Sequence, residues 1–532
     1  MSEQEKNQTP RRPYSYHTFI FPFLYQDGTK NVSRKDFTRC LHKGFEQDIF
    51  MSQPGMENTV EYSRFRYFNR AARNAIYTTQ WNDEAVVWNY RFNIESIARN
   101  TENAKDWVEN EKGCDNPARM VIKKGKFQAN LAVNGIRLKL FDTGVGMLIF
   151  ELENYELSDE NSVIIINEYG RRVFMPYVIP PDGICYDCAD EVILQYGNET
   201  PLYEDARISG GAVGKTDEII LSPVIRYLLT GEKTVTTVLG EGSDKFYIEP
   251  IIDDRMFVAC IYSSSGFVGD MGKWDAERKN YCYISDPMDD LSSKSSNAAT
   301  RFYKMVFVDK EEPTCKNRVM LSDLNREHSY ARWIEQGTMT GITEYSMVCI
   351  TNDVNEENHI HIPFLTEYVE MVLLVLAQRA SLLAFERAIS EVTCKKKFKM
   401  DVEKIHRRYV AFESELLLSE VTSQQQGIEL YDMMLKNLFI GRLTDDLDNQ
   451  INSLYELHTA DHEGRENKLL NFLAVIGAAE IFGNLGSDLV NALLPAFCEN
   501  PIIVPQWPFT VGIGVVGMIT LWLLGRHSNS VK

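Results

Sequence analysis

The first dozen residues, Met1 to Arg12, lack any apolar run. No secretory signal peptide is expected there, and residues 1–13 read as a disordered tail. Paired cysteines are scarce as well. Of ten cysteines only Cys185 and Cys188 form a C-x-x-C pair. With no second pair and no histidine partner, they read as reduced cytosolic thiols. A basic surplus is missing too. The formal net charge of −19 repels phosphate backbones and argues against direct nucleic-acid binding. The one basic run, Lys395 to Lys397, reads as a solvated helix end. No G-x-S-x-G, Walker A or H-E-x-x-H motif occurs, so no enzyme is expected. His359 and His361, with Asp353, Glu356 and Glu357, form the nearest metal-ligand set. A loop before a helix produces that composition readily, and no metal site is assigned.

The most informative absence is at the C-terminal end. From Leu469 to Gly525 there is no lysine, arginine or histidine. Two apolar blocks fill this stretch, at 469–494 and 508–525, joined by a loop at 495–507. Each approaches the ~20 apolar residues that span a bilayer. Arg465 and Lys468 precede the first block, and Arg526, His527 and Lys532 follow the second, while the loop region carries only Asp488 and Glu499. This positive-inside pattern predicts a hairpin with both chain ends in the cytoplasm, and Trp507 and Trp522 sit where interfacial aromatics belong. The expectation is a multi-pass protein of the inner membrane, in contact with the lipid bilayer, with residues 526–532 as a cytoplasmic tail. Tyr368–Phe385 is also apolar, but Glu370, Gln378 and Arg379 make it a buried soluble helix instead.

The chain as a whole, with 44% hydrophobic and 25% charged residues, is globular in composition. Residues 14–362 mix short β-like runs with turns: His17–Phe21, Val163–Ile166 and Met305–Val308. They predict an α/β cytoplasmic sensor domain, with a subdomain boundary near Ser158–Asn161 or Pro180–Asp190. Helices are expected at Asn69–Thr79 and Ile94–Asn110, and a loop at Asp275–Ala299. No proline occurs between Pro363 and Pro495, so 363–426 reads as a helical pair, Phe364–Thr393 and Asp401–Gln424, with a turn at Gly427. A stalk helix at 427–468 then continues into the first span. From Ile428 to Leu485 it would reach about 87 Å. Its 3–4 spacing of Ile428, Tyr431, Leu435, Leu438, Leu443, Leu447, Ile451 and Leu454, with a phase shift near Ile440, is coiled-coil-like. It suits a bundle with copies of the chain or with the preceding helices. The fold class is α+β with two C-terminal transmembrane helices.

Three motifs carry candidate binding chemistry. Thr143-Gly144-Val145-Gly146 lets backbone N–H groups approach a phosphate, or simply turns between strands, since Ile149 replaces the third glycine of the dinucleotide fingerprint. Arg171 and Arg172 present planar donor forks to a phosphodiester, or pair with surface carboxylates. Arg332 and Trp333 offer charge and a stacking face, or a core aromatic.

The order of soluble domain, helical pair, stalk, two spans and basic tail resembles the CorA family of magnesium channels. Lys468–Ala474 is similar to that family's entry into the first span, and Pro505–Phe509 to its entry into the second. The family's Gly-Met-Asn signature is missing; Phe482-Gly483-Asn484-Leu485-Gly486 is the nearest echo. By this resemblance Asn471, Ala478, Glu480, Gly483 and Asn484 line a pore, Asn484 through its amide and Glu480 because a lipid-facing carboxylate is costly. The soluble part resembles the CorA-like proteins encoded beside type III CRISPR systems, through Phe141–Leu148, Ile166–Arg172, Arg332–Thr338 and Gly341–Ser346. That resemblance implies a homo-oligomer, expected as a pentamer, gated in antiviral defence by a small nucleotide messenger. The messenger is a conjugate of S-adenosylmethionine and AMP (SAM-AMP), and Mg2+ is a second candidate ligand. It implies ligand contacts from Thr143, Gly144, Gly146, Asn167, Arg171, Arg172, Arg332, Trp333, Thr338 and Thr343. The alternatives are a divergent magnesium transporter and a membrane-anchored sensor without a pore.

Overall fold

In the computed structural model the described residues are 12–25, 33–50, 59–97, 118–172, 188–197, 199–205, 222–231, 248–253, 255–276, 279–284, 297–310, 313–352, 360–393 and 398–456. Both expected spans, the loop between them, and Asn471, Ala478, Glu480, Gly483 and Asn484 lie outside them. So do Cys185, His359 and Lys395–Lys397. The chain divides into two units: residues 1–396 with 404–448, and residues 397–403 with 449–532.

The first unit is mixed α+β around a thirteen-stranded sheet. Its strands are β1 (Ser15–Leu24), β2 (Phe45–Gln47), β3 (Val87–Phe92), β4 (Ala118–Lys124), β5 (Phe127–Phe141), β6 (Val145–Asn154), β7 (Glu191–Tyr196), β8 (Glu199–Asp205), β9 (Glu249–Pro250), β10 (Phe257–Ser263), β13 (Ser329–Tyr330), β14 (Thr338–Ile342) and β15 (Ser346–Thr351). A separate pair joins β11 (Trp274–Asp275) to β12 (Asn280–Tyr281). The main order is β13-β14-β15-β10-β1-β6-β5-β4-β7-β8, with β3 also on β5, β2 on β3 and β9 on β1. Pairing is antiparallel except between β10 and β15.

The helices are α1 (Arg34–Arg39), α2 (Val60–Tyr67), α3 (Arg70–Ile76), α4 (Glu160–Gly170), α5 (Pro223–Thr230), α6 (Ser265–Met271), α7 (Ala298–Phe307), α8 (Arg318–Glu327), α9 (Val369–Thr393), α10 (Phe398–Glu415) and α11 (Gln425–Asn437). Alternation along β1 assigns the two sheet faces. His17 meets Asn167 of α4, and Phe19 abuts Gly170 at the end of α4. Tyr16 lies against His361, just before α9. α9 buries Val372 to Ala377 almost completely. The helix that includes it, His361–Glu391, is long and apolar enough to cross a membrane, yet 78% of its most apolar stretch is buried in this unit. It packs on the sheet, so the helical segment beginning at 363 belongs to the same unit as the strands.

β5 has a register shift between Val133 and Gly135. Before it the positions in the main apolar core are odd (Ala129, Leu131, Val133); after it they are even (Ile136, Leu138, Leu140). One inserted residue swaps the faces, as a bulge does. The shift also marks where the edge of β5 passes from β4 to β3.

Several expectations are corrected. Val163–Ile166 is helix, not strand. Asp159 caps α4 by accepting from the Ser162 N–H at 2.9 Å, and burial on several sides mimics a strand's apolar run. Met305–Val308 ends α7, stopped by Val308 at φ 55°. No unit boundary falls at Ser158–Asn161, which joins β6 to α4. Of the helix expected at Ile94–Asn110, Ile94–Ile97 forms a 3-10 turn, and 98–110 lie outside the described residues. Part of Asp275–Ala299 is ordered as β12 and the start of α7. α10 stops at Glu415 instead of Gln424, where buried Gln378 of α9 takes the Leu416 carbonyl at 3.0 Å. Gly427 is no turn: it lies in the first turn of α11, with the Tyr67 hydroxyl filling the space of a Cβ. The helix from Ile428 is not continuous. α11 ends at Asn437, Phe439 takes φ 62°, and helix resumes over 440–456. The expected phase shift near Ile440 is this joint. Of the second unit, residues 398–403 and 449–456 are described and helical, with Ile451 and Leu454 buried.

Candidate functional site

The three expected motifs lie on separate elements of the fold. The Thr143–Gly146 segment is the turn between β5 and β6. Gly144 adopts φ 90°, and its carbonyl accepts from the Tyr25 N–H at 3.0 Å. Thr143 shares a 2.8 Å hydroxyl bond with Ser381 of α9, and its carbonyl accepts from Arg408 of α10 at 3.0 Å. A Cβ on Gly146 would meet the Phe23 ring. Beside the turn, burial raises Asp142 to about 6 against the pull of Arg34.

Arg332 and Trp333 lie at the other end of the sheet, against α11. Arg332 pairs with Glu429 at 2.5 Å, and the Trp333 indole donates to Gln426 at 3.2 Å. Thr338 bonds Thr351, and Thr343 shapes the β14–β15 turn through Ser346. Asn167 is buried beneath the sheet, its Oδ1 at 2.6 Å from His17 Nδ1. Burial lowers His17 to about 4, so its ring is neutral. Arg171 and Arg172 share the Glu168 carboxylate, at 2.5 and 3.3 Å.

The site that geometry does assemble is a cavity of about 790 Å3 on the α9 side of the sheet. β1 supplies Tyr16 and Thr18, α2 Arg64, β3 Asn89, β5 Arg137 and Lys139, and β6 Glu151. Thr366, in a π-helical turn over Phe364–Tyr368, and Glu370 close it from the helix that becomes α9. π-turns inside helices recur at functional sites. Sequence parity explains the charges. After the β5 bulge, Arg137 and Lys139 face away from the α4-side core. Gly135 has no side chain, and a Cβ there would strike the Glu151 carboxylate.

Glu370 is the hub. Arg137 Nη1 donates to it at 2.6 Å, and the Lys139 ammonium lies 2.9 Å from its other oxygen. Arg137 also holds Glu151 at 2.8 Å, and Lys139 donates to the Ile76 carbonyl at 2.9 Å. Burial opposes the Glu370 charge, but Lys139 and Arg137 outweigh it and hold the carboxyl below its ordinary value. Burial likewise opposes the Arg137 charge, and Glu151 with Glu370 reverses it, keeping the guanidinium firmly charged. For Lys139 burial wins over Glu370, and its pKa falls.

Among the described residues four buried lining atoms make no hydrogen bond: Nε of Arg64 and of Arg137 as donors, Oδ1 of Asn89 as acceptor, and Oε2 of Glu370, which is only ion-paired with Lys139. Buried polar atoms are normally satisfied, so the cavity suits a polar ligand that offers both acceptors and a donor. The Phe50 and Phe65 rings stack at 4.3 Å beside it, and Phe50 lines it. The sequence reading singled out none of these residues as ligand contacts. The available signal was Glu370: a carboxylate inside an apolar helix requires a buried cationic partner.

Among the described residues no group of three or more His, Cys, Asp or Glu side chains is placed to hold a metal. The His361 ring instead meets the Ser263 hydroxyl at 2.9 Å. A scan of protein-family models and searches of curated proteins and of solved structures return no match.

Proposed function

We propose that the chain is a ligand-gated membrane effector of CorA-like arrangement. Its sheet domain receives a small nucleotide messenger of the SAM-AMP kind, and two C-terminal spans form the output in a homo-oligomer at the inner membrane. The observation that carries this is the α9-side cavity, whose buried Arg137–Glu370 pair ties the sheet to α9, the longest helix among the described residues. Its volume lies within the ~300–1,000 Å3 of small-molecule sites. A phosphate entering it competes with Glu370 for Arg137 and Lys139. A carboxylate released from both cations no longer holds α9 in place. A ligand that binds one arrangement of α9 more tightly shifts the population toward it. Because α10 and α11 follow α9 in the chain, that shift is passed toward the C-terminal segments. The uncharged 469–525 stretch, flanked by basic residues, supports the membrane output. No catalytic step is part of this reading.

The test is ion flux from liposomes holding the full-length protein. Flux is expected only with SAM-AMP, and Arg137→Ala is expected to lower its calorimetric affinity at least about tenfold, the loss of a charge-assisted contact. Magnesium flux without ligand overturns the reading in favour of a transporter. Binding with no flux under any condition leaves a tethered sensor without a pore. No SAM-AMP binding removes the messenger assignment.

A further inference from the structure

A second site lies on the other face of the sheet, where α4 ends. Arg171 is 3% exposed, yet only its Nη2 has a partner, Glu168. Its Nε and Nη1 are buried and bond to nothing. Burial lowers its pKa against the support of Glu168, and the neighbouring charges of Arg255 and Arg172 push the same way. Arg172 stands directly across an antiparallel bridge from Arg255. Opposed residues share a face, and like charges there repel. The carbonyl of Arg171, which would repel an anion, is already taken by the Met256 N–H at 2.6 Å.

We propose that this corner binds a phosphate-type oxyanion, held by an unpaired N–H of Arg171, from Nε or from Nη1, with Arg172 and Arg255 beside it. Each unpaired N–H offers one charge-assisted bond to such a group, and both of the guanidinium's parallel pairs include Nη2, so a two-bond grip requires the anion to compete with Glu168. The corner is separate from the α9-side cavity and does not depend on what that cavity binds.

The same corner connects to the joint between α11 and the helix that follows. The Arg255 guanidinium sits 5.2 Å from the Tyr345 ring centre. The neighbouring Glu344 carbonyl accepts from Arg379 at 3.4 Å, and Arg379 lies 5.9 Å from the Phe439 ring. Phe439 is the residue at φ 62°. An anion that draws Arg255 toward Arg171 thereby alters the support of the joint.

The experiment is calorimetric titration of the detergent-solubilised full-length protein in chloride buffer, with inorganic phosphate in one arm and AMP in the other. Saturable phosphate binding is expected, weakened at least about tenfold in Arg171→Gln. Glu168→Gln removes the carboxylate that competes for Arg171 and is expected to tighten binding, which keeps the test decisive if Arg171→Gln fails to fold. Tighter binding of AMP than of phosphate identifies a nucleotide as the source of the anion; equal or weaker binding identifies free phosphate. Hydrogen exchange is expected to slow at 343–346 and 437–441 when the anion binds. Absence of saturable binding in either arm, binding unchanged by Arg171→Gln, or binding not tightened by Glu168→Gln overturns the proposal.

Discussion

On the α4 side of the sheet, β1 sends His17, Phe19, Phe21 and Phe23 into an almost wholly apolar layer. On the α9 side, β5 and β6 send Arg137, Lys139 and Glu151 toward a carboxylate on a helix. The strands are shared, so the difference comes from side-chain parity alone. The first face stores stability in area removed from water, which has no direction. The second stores it in charges that are stable only while every partner is present. A face of the second kind can be switched by an added ion; a face of the first kind cannot.

The largest expected effect sets the faces against each other. Glu370→Ala strands Lys139 and half of Arg137 without a counter-charge, a loss of about 3–5 kcal/mol. Phe19→Ala costs a similar ~3–5 kcal/mol through the cavity it leaves. Denaturant unfolding with a second substitution separates them. Glu370→Met with Lys139→Met is expected to recover most of the first loss, because apolar replacement of an ion pair is close to neutral. If the double variant is as unstable as Glu370→Ala, the contrast fails.

The next effect is in pH. His17 is held neutral at about 4, against an ordinary value near 6.5. Between those values the unfolded chain takes up a proton that the folded chain declines. Stability therefore falls as pH drops from about 6.5 to about 4, by on the order of 3 kcal/mol in total. Glu370 is depressed, so its contribution is present above its ordinary value and fades only as pH falls below that. Unfolding midpoints from pH 7 to pH 5 are thus expected to slope in the wild type and to lose much of that slope in His17→Gln. Equal slopes would remove the burial argument for the α4 side.

The smallest effect lies off both faces. Trp333 is 39% exposed and makes one indole bond to Gln426. Trp333→Ala is expected to cost about 1 kcal/mol or less and to leave SAM-AMP affinity unchanged. A tenfold loss of affinity would return the stacking role to it.

Helices with clear punctuation were legible in the sequence. Asn69 caps α3 as its residue type suggests, accepting from the Ala72 N–H at 2.9 Å. The Phe364–Thr393 helix was legible from its length and from Pro363 at its start. Runs of four apolar residues were not, because Val163–Ile166 satisfies helix and strand alike until Asp159 is recognised as a cap. The site was hidden for a different reason. Arg137 and Lys139 look like ordinary solvent-facing alternation in a half-buried strand. Only the approach of Glu370, more than two hundred positions later, turns that face inward. The arginine pair was legible as chemistry, but its shared carboxylate three residues upstream was not weighed.

The bulge in β5 works like a frameshift marker in a gene. Upstream and downstream of it the strand is read in different phases, and each phase is correct only because one residue is extra. Deleting Asn134 would remove the extra residue and let β5 alternate in one phase, with Ile136, Leu138 and Leu140 still in the apolar layer and Arg137 and Lys139 still toward the cavity. A single-codon loss at that position is therefore silent for both faces and costs only the bend the bulge adds, whereas the loss of any one residue between Arg137 and Leu140 would shift the side chains beyond it to the wrong face.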